Sequence, residues 1–134
     1  MRPRKTVAIF NSSDDVVGML REMFIRSGFH AVDGHISDIK DGSTDLISFL
    51  AKHQPDVVVW DISAPYDNNW AFFQLLRSSQ ALGGIGIVVT TTNRRALDDI
   101  VGVNTDAIEI VGKPYDLHQV LRAVMEQLPT SAPV

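Results

Sequence analysis

The sequence contains no cysteine, no excess of basic residues and no long apolar run. The absence of cysteine excludes disulfides, thiolate metal sites and thiol catalysis. Twelve Lys and Arg against 16 Asp and Glu give a net charge of −4, and the basic residues are scattered, so we expect no direct nucleic-acid binding. No run approaches the roughly 20 apolar residues of a membrane span, and the start Met-Arg-Pro-Arg-Lys leads into a strand. We therefore expect a cytoplasmic protein that does not contact membranes.

The length of the chain limits the number of domains. A chain of 134 residues with 45% hydrophobic residues suits one compact domain with a real core. We expect a single domain over 1–134, with its core at about 6–128 and a flexible tail at 129–134.

Short apolar runs alternate five times with segments of helical periodicity. This alternation predicts a parallel sheet with helices on both faces. The predicted elements are a strand at Thr6–Phe10, a helix at Asp14–Ser27, a strand at Ala31–Ile36, a helix at Thr44–Lys52 capped by Ser43 or Thr44, a strand at Val57–Asp61, a helix at Asn69–Ser79, a strand at Ile87–Thr91, a helix at Arg94–Val101, a strand at Ala107–Val111 and a helix at Asp116–Leu128.

Reactive side chains occur where three of these strands end. Asp61 follows the apolar run that starts at Val57, Thr91 ends the fourth strand, and Lys113 follows the fifth. The carboxyl ends of parallel strands meet at one edge of a sheet, where ligands bind in open α/β folds. We therefore expect an acid, a hydroxyl and an ammonium group to converge there.

The spacing of these residues resembles that of a known family. The segment from Pro55 to Pro65 is similar to the phospho-acceptor segment of the receiver domain of bacterial two-component response regulators. Thr91 lies 30 residues after Asp61 and Lys113 lies 52 after it, as do the family's hydroxyl and lysine. The resemblance covers the chain from Thr6 to about Leu128. It implies a stand-alone, CheY-like, flavodoxin-like (βα)5 domain with sheet order 2-1-3-4-5.

The resemblance also implies roles for individual residues. Asp61 would be the nucleophile that accepts a phosphoryl group, and it would also bind Mg²⁺. Lys113 would pair with the phosphoryl group, and the Thr91 hydroxyl would donate a hydrogen bond to it. The Lys113–Pro114 bond would be the family's usual cis peptide.

Two further positions carry roles from the family. Ser63 would offer its backbone carbonyl to Mg²⁺. The side chains of Ser63 and Asn93 occupy positions that tune dephosphorylation in relatives.

The sequence departs from the family pattern at the metal site. Receivers place two acids after the first strand, where this chain has Asn11 and Ser12. Because Mg²⁺ is usually held through carboxylates, we expect it to bind only weakly, through Asp61, the Ser63 carbonyl and a small contribution from Asn11 and Ser12. Asp14 and Asp15 fall two or three residues too late and are better interpreted as first-turn acids of a capped helix.

A second departure is Ile110, which stands where many receivers have an aromatic side chain that moves on phosphorylation. The usual switch would therefore be impaired.

The four histidines show neither ligand spacing nor a partner acid, so we interpret them as surface or cap residues; they are His30, His35, His53 and His118.

Two functions remain open. The first is a receiver that takes a phosphoryl group from a histidine kinase or a phosphotransfer protein and presents its fourth helix, fifth strand and fifth helix to an unknown downstream protein. The second is a degenerate pseudo-receiver that binds partners without phosphorylation. Neither is an enzyme beyond self-phosphorylation and autodephosphorylation at Asp61, and we expect a monomer or weak homodimer.

Two enzyme or cofactor classes rank below these. A haloacid-dehalogenase-like phosphatase needs Asp-x-Asp after its first strand, whereas here the candidate is Asp61-Ile62-Ser63 after the third. A flavodoxin needs a phosphate loop after the first strand, where Asp14 and Asp15 would repel the phosphate.

Overall fold

A computed structural model describes residues 4–111 and 115–128. They contain a five-stranded sheet with the order β2-β1-β3-β4-β5, in which every neighbouring pair is parallel. The predicted flavodoxin-like fold with sheet order 2-1-3-4-5 is confirmed. The strands are β1 Thr6–Asn11, β2 His30–His35, β3 Val57–Ile62, β4 Gly86–Thr91 and β5 Ile108–Glu109.

Helices connect the strands and cover both faces of the sheet. They are α1 Asp14–Arg26, α2 Ile36–Lys40, α3 Leu46–His53, α4 Tyr66–Ser78, α5 Arg94–Val101 and α6 Asp116–Gln127, with a 3-10 turn at Gln80–Leu82. The helices α1 and α6 pack on one face, and α2 to α5 contribute to the core on the other. We call these the α1/α6 face and the α3/α4 face.

The strand β3 is buried along its whole length, as its unbroken apolar run predicts. Val57 and Val59 belong to the core of the α1/α6 face, whereas Val58, Trp60 and Ile62 belong to that of the α3/α4 face. Because side chains alternate along a strand, Asp61 lies on the same face as Val57 and Val59.

Two predicted helix starts differ from the observed ones. The helix α4 begins at Tyr66 instead of Asn69, since Pro65 lacks an N–H group and costs nothing at the position before the first turn. The helix α3 begins at Leu46, where the apolar face starts, and follows Asp45 instead of a Ser43 or Thr44 cap.

Two other elements also differ from the prediction. The helix α2 was not predicted, because five residues are too few to show a helical period; Ile36 anchors it in the core of the α3/α4 face. The strand β5 has two residues instead of the five at Ala107–Val111, although Ile110 N–H still donates to the carbonyl of Thr91.

Candidate functional site

Asp61 lies near the carboxyl end of β3 and is 7% exposed. It is paired in register with Thr90 of β4, and the Thr90 hydroxyl donates a hydrogen bond to Asp61 Oδ1 over 2.8 Å. The other oxygen, Oδ2, takes no hydrogen bond from the described residues. Among the described residues, a hydrogen bond holds the carboxylate at Oδ1 alone.

The surroundings of Asp61 change its proton affinity. Burial raises the pKa of Asp61 to about 6, and the hydrogen bond from Thr90 opposes this rise. At neutral pH the ionised form of the carboxyl therefore predominates.

Thr91 lies one residue further along β4 and faces the other side of the sheet. It is paired with Ile62, is fully buried, and its Oγ1 accepts a hydrogen bond from the Asn93 N–H over 3.3 Å. The structure thus brings Thr90 to Asp61 and leaves Thr91 on the opposite face. Thr90 was not predicted, because the choice between Thr90 and Thr91 depends on the register of β3 and β4, which no local pattern determines.

Asn11 is placed beside Asp61 by the register of β1 and β3, one residue beyond the pair Phe10–Trp60. It is 4% exposed, and its Oδ1 accepts hydrogen bonds from the backbone N–H groups of Ser12 and Ser13, over 2.7 and 2.9 Å. The side-chain oxygen expected to assist a metal is thus already bonded within its own turn.

The loop after Asn11 leads into α1 as a capped helix start. Ser13 is the N-cap, and its hydroxyl accepts from the Val16 N–H over 3.4 Å. Asp14 and Asp15 occupy the first turn, which confirms their interpretation as first-turn acids, and Ser12 is exposed.

The backbone carbonyl of Ser63 also has a protein partner. Asn69 Nδ2 donates to it over 2.7 Å. The ammonium group of Lys40 in turn donates to Asn69 Oδ1 and lies over the ring of Phe72, 5.4 Å from its centroid. The second neutral oxygen expected to bind Mg²⁺ therefore already accepts one hydrogen bond.

The groups expected to ligate Mg²⁺ do not fit a tightly held ion. Within 4–111 and 115–128, no group of three or more His, Cys, Asp or Glu side chains could hold a metal. Asp61 is the single carboxylate among the four expected ligands, while the Asn11 and Ser63 oxygens already accept hydrogen bonds. Mg²⁺ usually needs one or two carboxylates together with waters or phosphate, so the described site is a poor one.

Two other positions named from the sequence, Ile110 and Asn93, are part of the core and of a helix cap. Ile110 is 8% exposed and belongs to the core of the α1/α6 face. Asn93 is the N-cap of α5, and its Oδ1 accepts from the Ala96 N–H over 3.0 Å. Lys113 and Pro114 lie outside the described residues, as does the tail at 129–134.

His35 is the N-cap residue of α2, which agrees with its interpretation as a surface or cap residue, but its partner acid was not predicted. Its Nε2 lies 2.5 Å from Asp14 Oδ1, and this hydrogen bond raises the pKa of His35 above its ordinary value. The two residues are 21 positions apart, and the packing of α1 on β2 brings them together.

The parallel sheet, its strand order and a buried acid at the end of β3 define a receiver-like α/β domain. The structure is similar to the response regulator receiver domain (CheY-like) from Methylobacillus flagellatus, with a TM-score of 0.61, 15% sequence identity, and coverage of 91% of this chain and 99% of that one. The predicted resemblance to receiver domains is confirmed.

Two curated proteins similar in sequence are a response regulator and a transcriptional regulatory protein. The chain is 28% identical over 91 residues to the response regulator Rre1 of Synechocystis sp., covering 68% of this chain and 39% of that protein. It is 18% identical over 120 residues to the transcriptional regulatory protein GltR of Pseudomonas aeruginosa, covering 90% of this chain and 47% of that protein. The chain thus spans less than half the length of these relatives. No family model matches it.

In the described part of the chain, no helix is both long enough and apolar enough to cross a membrane.

Proposed function

We propose that this chain is a receiver domain that takes part in two-component phosphorelay signalling and accepts a phosphoryl group on Asp61. The observation that carries this proposal is the position of Asp61: a buried carboxylate at the carboxyl end of β3, with one oxygen held and the other without a described partner. A histidine kinase or phosphotransfer protein would supply the phosphoryl group.

The proposed reaction is a displacement at phosphorus. A carboxylate oxygen of Asp61 forms the new P–O bond, the bond from phosphorus to the donor breaks, and the leaving group takes the electron pair. The product on the protein is an acyl phosphate. Lys113 would pair with the added charge, the role that the resemblance implies. Thr91 lies on the other face of the sheet, and the hydroxyl beside Asp61 is that of Thr90. We propose that Mg²⁺ contributes weakly.

A partner surface is the second part of this proposal. The helices α5 and α6 flank β5, and a cleft of about 360 Å³ among them is lined in part by Arg94, Glu109 and Tyr115. Val103 and Tyr115 are 64% and 52% exposed, so apolar surface is available to a downstream protein.

We propose that the single domain, 1–134, works as a cytoplasmic monomer or weak homodimer with no enzymatic activity beyond chemistry at Asp61.

The test is intact-mass spectrometry after incubation with acetyl phosphate, with and without Mg²⁺. We expect one phosphoryl adduct on the wild type and none on Asp61→Asn. Asp56→Asn, which changes a different acid near the start of β3, should still form the adduct. An absence of adduct at every Mg²⁺ concentration would contradict the proposal.

The alternative is a pseudo-receiver that binds partners without phosphorylation. It is favoured by the poor metal site, because the Asn11 and Ser63 oxygens already accept hydrogen bonds. Here a partner captured by the unmodified protein would bind Asp61→Asn equally well, and phosphodonor would not change the affinity. A phosphodonor-dependent affinity that Asp61→Asn abolishes would contradict this alternative.

A further inference from the structure

Asp61 and Thr90 are direct neighbours across β3 and β4. They form a register pair, so both side chains project from the same face of the sheet. Thr90 is fully buried and Asp61 is 7% exposed, and their oxygens are 2.8 Å apart. Water competes little for a hydrogen bond in such surroundings, and a bond to a charged carboxylate is stronger than one between neutral groups.

From this geometry we infer that Thr90 is the positioning residue of the phospho-acceptor. Its hydroxyl holds Oδ1 of Asp61 and so leaves Oδ2 as the oxygen that reacts. The inference rests on the proposed function for its catalytic meaning. Thr91 has no such contact, since its Oγ1 faces the other side of the sheet and accepts from the Asn93 N–H.

The hydrogen bond has a second consequence, for the charge of Asp61. A hydroxyl has one proton to donate, and Thr90 directs it to the carboxylate, which favours the ionised form. This opposes burial, which favours the neutral form. The contact therefore orients the acceptor, and the pKa of Asp61 reports whether the contact is made.

The proposal is tested by titrating the Asp61 carboxyl carbon by NMR in the unphosphorylated protein. Thr90→Val keeps the β-branched shape that a strand prefers and removes the hydroxyl. We expect it to raise the pKa of Asp61 by about one pH unit. Thr90→Ser, which restores a hydroxyl, should return the pKa close to that of the wild type.

Thr91→Val is the matched control for this titration, because it removes a neighbouring buried hydroxyl from the same strand. It should leave the pKa of Asp61 unchanged. An unchanged pKa in Thr90→Val, or an equal rise in Thr91→Val, would overturn the inference. If Thr90→Val fails to fold, Thr90→Ser still tests the inference. A rise in the pKa of Asp61 by about one pH unit in Thr90→Ser, which keeps a hydroxyl, would also contradict the inference.

A kinetic measurement then tests the positioning role. The initial rate of adduct formation with acetyl phosphate should fall about tenfold in Thr90→Val and recover in Thr90→Ser. A rate in Thr90→Val equal to that of the wild type would overturn the positioning role. If the wild type forms no adduct, the proposed function fails, whereas the NMR titration still decides whether Thr90 controls the Asp61 carboxylate.

Discussion

Asn69 donates a hydrogen bond from Nδ2 to the backbone carbonyl of Ser63 over 2.7 Å, and this ties the first turns of α4 to the loop that follows β3. The same amide accepts a hydrogen bond from Lys40 at the end of α2. A helix that the sequence did not predict therefore contributes to the shape of the loop beside the candidate site.

Asn69→Ala should destabilise the protein by about 1 kcal/mol, since it removes a partly buried hydrogen bond and leaves the Ser63 carbonyl without this donor. Urea denaturation measures the change in the free energy of unfolding. The control is Asn68→Ala at the exposed neighbouring position, which should be close to neutral. Equal losses in the two variants would show that the Asn69 bond does not stabilise the loop.

Asn11→Asp should strengthen Mg²⁺ binding by tenfold or more. An aspartate can keep the hydrogen bonds from Ser12 and Ser13, and it adds a carboxylate beside Asp61. The Coulomb attraction of this carboxylate to a cation is worth about 4 kcal/mol per unit charge at 4 Å, for an effective dielectric constant of about 20 and before desolvation. Isothermal titration calorimetry with MgCl₂ gives the affinity.

The control for that titration is Asn68→Asp, which adds the same charge at an exposed position outside the candidate site. It should leave the Mg²⁺ affinity near that of the wild type. If Asn11→Asp binds Mg²⁺ no better than Asn68→Asp, the loss of acids after β1 is not what weakens the site.

The stability of the protein should depend on pH through Asp61. The pKa of its carboxyl rises from 3.8 to about 6 on folding, so between these values the folded state binds more protons than the unfolded state. The contribution of Asp61 to the free energy of unfolding therefore falls by up to about 3 kcal/mol as the pH rises from about 4 to 6. Above that pH the contribution stays constant.

Asp61→Asn should lack this contribution. Its stability should match that of the wild type near pH 4 and exceed it at pH 7. Urea denaturation of both proteins across this range isolates the effect, because the other titrating groups are common to both. Parallel pH profiles would contradict the burial effect at Asp61.

Asn93→Ala should cost about 1 kcal/mol of stability, because the side chain caps α5. Asn93→Asp keeps a capping oxygen and should retain most of that stability, whereas Thr92→Ala at the exposed position before it should change little. Thermal unfolding followed by circular dichroism distinguishes the three. If Asn93→Ala is as stable as the wild type, the Asn93 cap contributes little to stability. That outcome would not bear on the role of this position in dephosphorylation.

Sequence patterns were sufficient for a parallel sheet with helices on both faces and for the place of Asp61, whereas the strand order came from the family resemblance. The run Val57–Trp60 predicts a strand buried on both faces, and the acid that follows it must then lie at the carboxyl end of the sheet. The helix start at Asp14 was also predictable, because a serine before two acids is a local signal that needs no knowledge of the tertiary structure.

The partner of Asp61 was not predictable in this way. The family spacing indicated Thr91, whereas the register of β3 and β4 places Thr90 opposite the acid. Register depends on how two whole strands pack, and a shift of one residue moves a side chain to the other face. The contact of His35 with Asp14 was missed for a similar reason, since it depends on how α1 packs against β2.

Mapping the phosphoryl group to one residue tests the central claim most directly. After incubation with acetyl phosphate, borohydride converts an aspartyl phosphate to homoserine, which tandem mass spectrometry locates in the sequence. We expect homoserine at position 61 alone, and none in Asp61→Asn. No homoserine at position 61, or a phosphoryl group found instead on another residue such as His35, would contradict it.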